Sequence, residues 1–158
     1  VTDYPAVSIL EESCEGILEE LENVIENSTF VQWPERDLYA GAWNVYGLYN
    51  IDGKIIPEHA RECPKTTATV ERIPGMKTAG FSMLGAGCTI KPHVGYTDAV
   101  LRCHLGLIIP EGDCALKVGD TIHRWKPGEA FVFDDRVTHE AWNRTDGSRY
   151  VLLVDFTK

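Results

Sequence analysis

What the chain lacks narrows its identity first. It has no Cys-x-x-Cys pair, and its five cysteines (Cys14, Cys63, Cys88, Cys103, Cys114) are odd in number and scattered. Neither a disulfide framework nor a thiolate zinc site is indicated, and reduced thiols in a cytoplasmic setting are expected. Basic residues are scarce: 15 Lys and Arg stand against 24 Asp and Glu, for a net charge of −9 and a pI near 5.0. That balance repels nucleic acid and anionic membrane surfaces, leaving a small molecule, a carrier-bound group or a peptide as the expected partner. No run approaches the roughly 18 consecutive apolar residues of a membrane span, and Val1 to Pro5 lack the basic and apolar regions of a signal peptide. Repeats, low-complexity tracts and linkers are also missing. A chain of 158 residues then reads as one domain, 1–158, with one functional site.

What is present has two periodicities. Ile9, Leu10, Cys14, Ile17, Leu18, Leu21, Val24 and Ile25 recur at three- and four-residue spacing among seven glutamates, which predicts an N-terminal amphipathic α-helix. Ser8 is its expected N-cap and Asn27-Ser28 its stop. Residues 29–66 are rich in aromatics and turn formers and read as short strands and loops, with a turn at Asp52-Gly53. Within them, Gly41 to Gly53 carries Trp43, Tyr46 and Tyr49 and reads equally as a lid or as core beneath a sheet. From residue 67 onward short strands are expected at Ala68–Ile73, Ala79–Leu84, Ala99–Ile109, Ala115–Val118, Thr121–Trp125, Ala130–Phe133 and Arg149–Phe156, most of them separated by Gly, Pro or Asp turn signals. Closely spaced strands without intervening helices argue for a mainly β fold, a jelly roll spanning 67–158 preceded by helix and aromatic loops.

One further absence bears on chemistry. In Lys91-Pro92-His93-Val94-Gly95, glycine stands where a mononuclear iron oxygenase normally carries the carboxylate of His-x-Asp or His-x-Glu. His139 and Arg149 lie downstream, and Asp134-Asp135 precede His139. Alone, His93 reads as a loop histidine and His139 as a capped or core one. Together they suit an Fe(II) centre with extra vacant positions, where nearby carboxylates orient an imidazole or a water, and zinc hydrolysis would ask for a third protein ligand. Along Val100 to Ile109, period-two alternation puts Leu101, Cys103, Leu105, Leu107 and Ile109 on one face and Arg102, His104 and Gly106 on the other. On a surface strand Arg102 and His104 would face water. Arg149, however, also starts an apolar strand, and a permanent cation at such a place usually meets an anion, here a dicarboxylate cosubstrate.

The motifs Cys63-Pro64-x-Thr66, Phe81-Ser82, Pro92-His93-x-Gly95, Leu101-Arg102-x-His104-Leu105-Gly106-Leu107, Pro110, Gly128-Glu129, Phe133-Asp134-Asp135, His139-Glu140-x-Trp142 and Arg149 resemble those of the aspartyl/asparaginyl β-hydroxylases, over residues 63–156. The resemblance implies a double-stranded β-helix, a cupin-like jelly roll, that uses Fe(II), 2-oxoglutarate and O2. It implies His93 and His139 as metal ligands, with Gly95 leaving room for water where the carboxylate would be. It implies Ser82 and Arg149 on the distal carboxylate of 2-oxoglutarate, Arg102 and His104 beside its chelating end, and Asp135 on a metal-bound water. The implied reaction is β-hydroxylation of aspartate or asparagine, free, carrier-bound or peptidyl, with decarboxylation of 2-oxoglutarate to succinate. A missing carboxylate is also how 2-oxoglutarate halogenases admit chloride, and jelly rolls also serve as non-catalytic binding modules. A membrane-associated lipid hydroxylase would call for an anchor, and these residues contain none. Lys91, Arg136 and Arg144 could meet a substrate carboxylate but read more simply as surface charges. His59 and His123 receive no role.

Overall fold

The computed structural model describes residues 4–95, 97 and 99–158. Two helices come first, α1 (Pro5–Glu12) and α2 (Cys14–Asn27). Eleven strands follow among the described residues: β1 (Val31–Gln32), β2 (Tyr39–Ala40), β3 (Trp43–Tyr49), β4 (Met76–Leu84), β5 (Thr89–His93), β6 (Val100–Ile108), β7 (Cys114–Val118), β8 (Thr121–His123), β9 (Ala130–Phe133), β10 (His139–Asn143) and β11 (Arg149–Thr157). Between β3 and β4 stand two short helices, α3 (Pro57–Glu62) and α4 (Pro64–Glu71). The strands pair antiparallel in two sheets, a six-stranded one ordered β1-β3-β4-β11-β6-β9 and a five-stranded one ordered β2-β5-β10-β7-β8. The fold is mainly β, with the jelly-roll and N-terminal helical character expected of it.

Strand alternation divides the six-stranded sheet into two unlike faces. Leu152, Val154 and Phe156 of β11, Cys103 and Leu105 of β6 and Phe81 of β4 pack on one side against Leu10, Ile17, Leu21 and Val24 of the helices. From the other face Val151, Leu84 and Trp43 meet Ile90, Leu116 and Ala141 of the second sheet. Arg149, Ser82, Arg102 and His104 project into this inter-sheet space too, which is where the site lies.

Several elements differ from the sequence reading. The first helix begins at Pro5, a residue with fixed φ and no N–H to lose at a helix start, so Ser8 is inside it, its hydroxyl donating to the Pro5 carbonyl. The helix breaks at Ser13, which lets α1 lie on β6 and β9 while α2 packs on α4; Asn27-Ser28 does end α2. The strand expected at Ala68–Ile73 is largely helix α4. Its β-branched threonines suggested strand, but Pro64 opens the helix and the buried Glu20 carboxylate of α2 caps it, accepting from Lys65 N (2.9 Å), Thr66 N (2.7 Å) and Thr66 Oγ1 (2.7 Å). That cap also explains the Cys63-Pro64-x-Thr66 motif. The aromatic segment is sheet rather than loop: β3 pairs along β4, Trp43 and Tyr46 are buried, and the lid reading of Gly41 to Gly53 gives way to core. The sheets therefore begin upstream of residue 67.

A candidate active site between the sheets

Two strands the sequence did not declare carry the histidines. β5 holds a proline and β10 is a short mixed segment, so neither shows clear alternation, yet they pair in register with His93 opposite His139. Their ring centroids stand 4.3 Å apart. Each ring is oriented by its own chain: His93 Nδ1 donates to Lys91 O (2.7 Å) and His139 Nδ1 to Val137 O (2.9 Å). A carbonyl can only accept, so both protons sit on Nδ1 and both Nε2 lone pairs are available to a metal. His139 is buried, and burial pulls it down to about 4, keeping it a neutral donor at physiological pH.

The glycine between the histidines has a different reason from the one its resemblance implied. A Cβ on Gly95 would overlap the carboxylate of Asp135, which fills the space that was expected to be left for water. Gly95 N donates to Asp135 O (2.6 Å), fastening the two segments together. Asp135 is fully buried, with Arg102 at 3.7 Å and, among the described residues, no hydrogen bond to either carboxylate oxygen, and burial raises its pKa. Arg102 is in turn gripped by Asp155, through Nε (2.7 Å) and Nη2 (3.0 Å).

At the far end of the cavity Arg149 is fully buried beneath the sheets. Its Nη2 donates to Ser82 Oγ (2.9 Å) and Ser82 O (3.2 Å), its guanidinium lies 4.5 Å over the Trp125 ring, and its Nε has no partner among the described residues. Among the described residues no carboxylate pairs with it. Burial lowers it to about 10, so it keeps its charge at neutral pH. Ser82 Oγ also accepts from Trp43 Nε1 (3.1 Å), so its own proton remains for a guest. His104 Nδ1 accepts from Trp125 Nε1 (3.1 Å), which fixes the other tautomer there and leaves a buried Nε2–H without an acceptor. Burial first, and the Arg149 charge second, hold His104 well below its ordinary pKa, hence neutral.

Trp125 is a residue the sequence reading left without a role, and Trp43 was read only as lid or core. The signal for Trp125 was Gly106: a Cβ there would overlap Lys126 O, and only glycine lets the 126–129 turn close on β6, with Gly106 N donating to Glu129 O (3.0 Å) and Gly128 N to Gly106 O (2.9 Å). The turn delivers Trp125 to both His104 and Arg149. Asp155 had a signal as well, since it shares the parity of Arg149 along β11. Of the three surface cations, Arg144 pairs with Asp113 (2.8 Å) and Arg136 donates to Gly95 O (2.7 Å), while Lys91 is exposed. His59 donates to Gly47 O (2.6 Å), and His123 stacks on Phe131.

The aspartyl/asparaginyl β-hydroxylase family model matches residues 11–158. The chain belongs to that family. Over 158 residues this β-hydroxylase-family chain is 39% identical to the ornithine lipid ester-linked acyl 2-hydroxylase of Rhizobium tropici, covering 99% of the chain and 55% of that protein. It is 33% identical to human aspartate beta-hydroxylase domain-containing protein 2 (94% and 43%) and 30% identical to human aspartyl/asparaginyl beta-hydroxylase (73% and 16%). The chain thus spans about half the length, or less, of these curated relatives. Among solved structures, a Pseudomonas putida prolyl-4-hydroxylase superposes with a TM-score of 0.66 at 14% identity, covering 93% of this chain and 87% of the other, and a predicted oxalate decarboxylase from Thermotoga maritima gives 0.52 at 11% (82% and 91%). These similarities show the cupin-like fold. No helix among the described residues is long and apolar enough to cross a membrane. The Rhizobium relative also removes the weight given to a missing anchor, because this chain covers only part of that protein.

Proposed function

We propose that the chain is an Fe(II)- and 2-oxoglutarate-dependent hydroxylase. The observation that carries this reading is Arg149: a buried, charged guanidinium with an unpartnered Nε and no carboxylate beside it among the described residues, in the same cavity as two histidines with available Nε2 atoms. A buried cation left so is costly unless an anion arrives. In this reading Ser82 and Arg149 bind the distal carboxylate, and the His104 Nε2–H, with Arg102 nearby, meets the keto-acid end. The walls stand close, leaving about 30 Å³, so a dicarboxylate enters by parting them.

The donor set fits the metal that the family implies: two imidazoles, His93 and His139, each oriented by a backbone carbonyl so that Nε2 is available. Fe(II) bound there with 2-oxoglutarate and O2 would supply oxidative decarboxylation, R–H + 2-oxoglutarate + O2 giving R–OH + succinate + CO2. The chain orients the imidazoles through backbone carbonyls, neutralises the cosubstrate through Arg149, and excludes water with Trp43, Trp125, Phe133 and Leu153. The Asp135 carboxylate occupies the corner at Gly95 and leaves no place for a halide there, favouring hydroxylation over halogenation. The family name offers the β-carbon of an aspartyl or asparaginyl substrate, and the Rhizobium relative's name an ester-linked acyl chain.

The test is succinate release from 2-oxoglutarate with Fe(II), ascorbate and O2, across free and peptidyl Asp and Asn and acyl substrates, with chloride varied. Succinate matched by a product one oxygen heavier, and lost in His139→Ala, is the expected result. No succinate with any substrate, and no metal-dependent binding of 2-oxoglutarate, would return the chain to the binding-module class.

A further inference from the structure

A second cavity, of about 240 Å³, adjoins the first, and Ser82, Arg102 and Leu153 wall both. It runs along the inner face of β3 and β4. Its floor is Gly47 and Gly80, direct partners across the two strands: bare Gly80 lets the β3 backbone approach to where a Cβ would stand 3.0 Å from Gly47 Cα and Tyr46 O, and bare Gly47 leaves the groove open up to the Ile56 methyl. Val31, Trp33, Val45, Ile51, Ile56 and Leu153 supply much of the lining, and Val31 and Ile51 are 62% and 45% exposed.

Most polar side chains along this groove are engaged within the protein. Thr78 Oγ1 donates to Asn50 O, His59 Nδ1 donates to Gly47 O, and Asn50 Oδ1 accepts from Asp52 N and Lys54 N. Ser82 is held by Trp43 and Arg149, and Arg102 and Asp155 hold each other. What faces the groove is mostly carbon. A peptide backbone laid there would leave its N–H and C=O groups without partners, at a cost of about 1–3 kcal/mol for each group buried. A hydrocarbon chain loses nothing polar and gains about 0.8 kcal/mol per buried CH2.

We infer that this groove holds a linear acyl chain of the prime substrate, with its polar end toward the Ser82, Arg102 and Leu153 junction and its tail over the Gly47–Gly80 floor. The inference rests on the hydroxylase reading for the word substrate, while the binding itself does not depend on it. Gly47 is the residue to alter, because a Cβ there presses only on the Ile56 Cδ1 methyl at 3.1 Å and a larger side chain fills the groove.

The experiment is titration of the metal-free protein with cis-parinaric acid, an 18-carbon fluorescent fatty acid, without 2-oxoglutarate. Saturable one-to-one binding is expected, weakened at least tenfold by Gly47→Leu and several-fold by Val31→Glu, whose exposed site spares the fold. Thermal melts confirm that each variant is folded. Absence of saturable binding, or binding unchanged in both folded variants, overturns the proposal. So does displacement of the probe by an aspartyl peptide but not by a saturated fatty acid. Because neither metal nor cosubstrate is present, a failed succinate assay and a failed groove leave different records.

Discussion

The two cavities that meet at Ser82, Arg102 and Leu153 are built on opposite principles. The inner one is tight and is lined by Arg149 and His104, whose Nε and Nε2 atoms have no partner among the described residues, with the equally unbonded Asp135 carboxylate behind Arg102. The outer one is roomier, lined mostly by carbon, with its polar groups already bonded inside the protein. Unpaired buried polar atoms destabilise a fold, so their concentration in one place marks a site shaped for partners that are not part of the chain. A groove without them selects by shape and hydrophobicity alone, which suits a chain of methylenes better than a charged group. On the proposed reading, the contrast puts the chemistry at one end and the discrimination between substrates at the other.

The largest separation between the two ends should come from Arg149→Ala. Removing the guanidinium should raise the 2-oxoglutarate requirement about 100-fold, the equivalent of roughly 3 kcal/mol of charge-assisted hydrogen bonding, and leave parinaric acid binding within twofold of wild type. Equal loss of both would mean that the two cavities are one site. The polar end should also carry acid sensitivity. Burial holds His139 down to about 4 and His104 well below its usual value, so both stay neutral in the folded chain while the unfolded chain takes up protons near pH 6.5. Stability of the metal-free protein is therefore full above pH 6.5 and declines as pH falls toward 4, by up to roughly 3 kcal/mol from His139. Urea unfolding at pH 7 and pH 4.5 checks this, and equal stabilities would show that these imidazoles are not buried in neutral form.

How much of this was legible in the sequence differs between the two ends. Strand parity put Arg102 and His104 on one face and Leu101, Cys103, Leu105 and Leu107 on the other, and the sheet has those faces because alternation is a local property of extended chain. The gathering of His93, His139, Ser82 and Arg149 in one cavity was an implication of the family resemblance. What the sequence did not disclose depended on contacts between distant segments. Glu20 turns a β-branched stretch into helix from 45 residues away, Asp135 takes the space beside Gly95, and Lys126 needs Gly106 bare. The groove was hidden for the same reason. Gly47 and Gly80 mean nothing apart, and only the β3–β4 register shows that one gives the backbones room to approach while the other leaves the floor bare.

A smaller effect tests the packing of the polar end. Gly95→Ala should cost about 1–3 kcal/mol, as overpacking against a buried carboxylate does, and in combination with Asp135→Ala most of that cost should disappear. Simple additivity in urea unfolding would show that the two residues do not compete for the same space. Metal affinity read on the same variants says whether Asp135 also supports the histidine pair.

The smallest effect isolates one hydrogen bond. Trp125→Phe keeps an aromatic ring beneath Arg149 but removes the N–H that fixes the His104 tautomer. His104 can then place its proton on either nitrogen, and a fraction of molecules would present a lone pair, not a donor, toward the keto-acid end of 2-oxoglutarate. A net hydrogen bond of about 1 kcal/mol corresponds to roughly a fivefold loss of 2-oxoglutarate affinity. Groove binding should not change. If affinity falls as far as in Arg149→Ala, the indole acts mainly by holding the guanidinium in place, and if it does not fall at all, His104 does not donate to the cosubstrate.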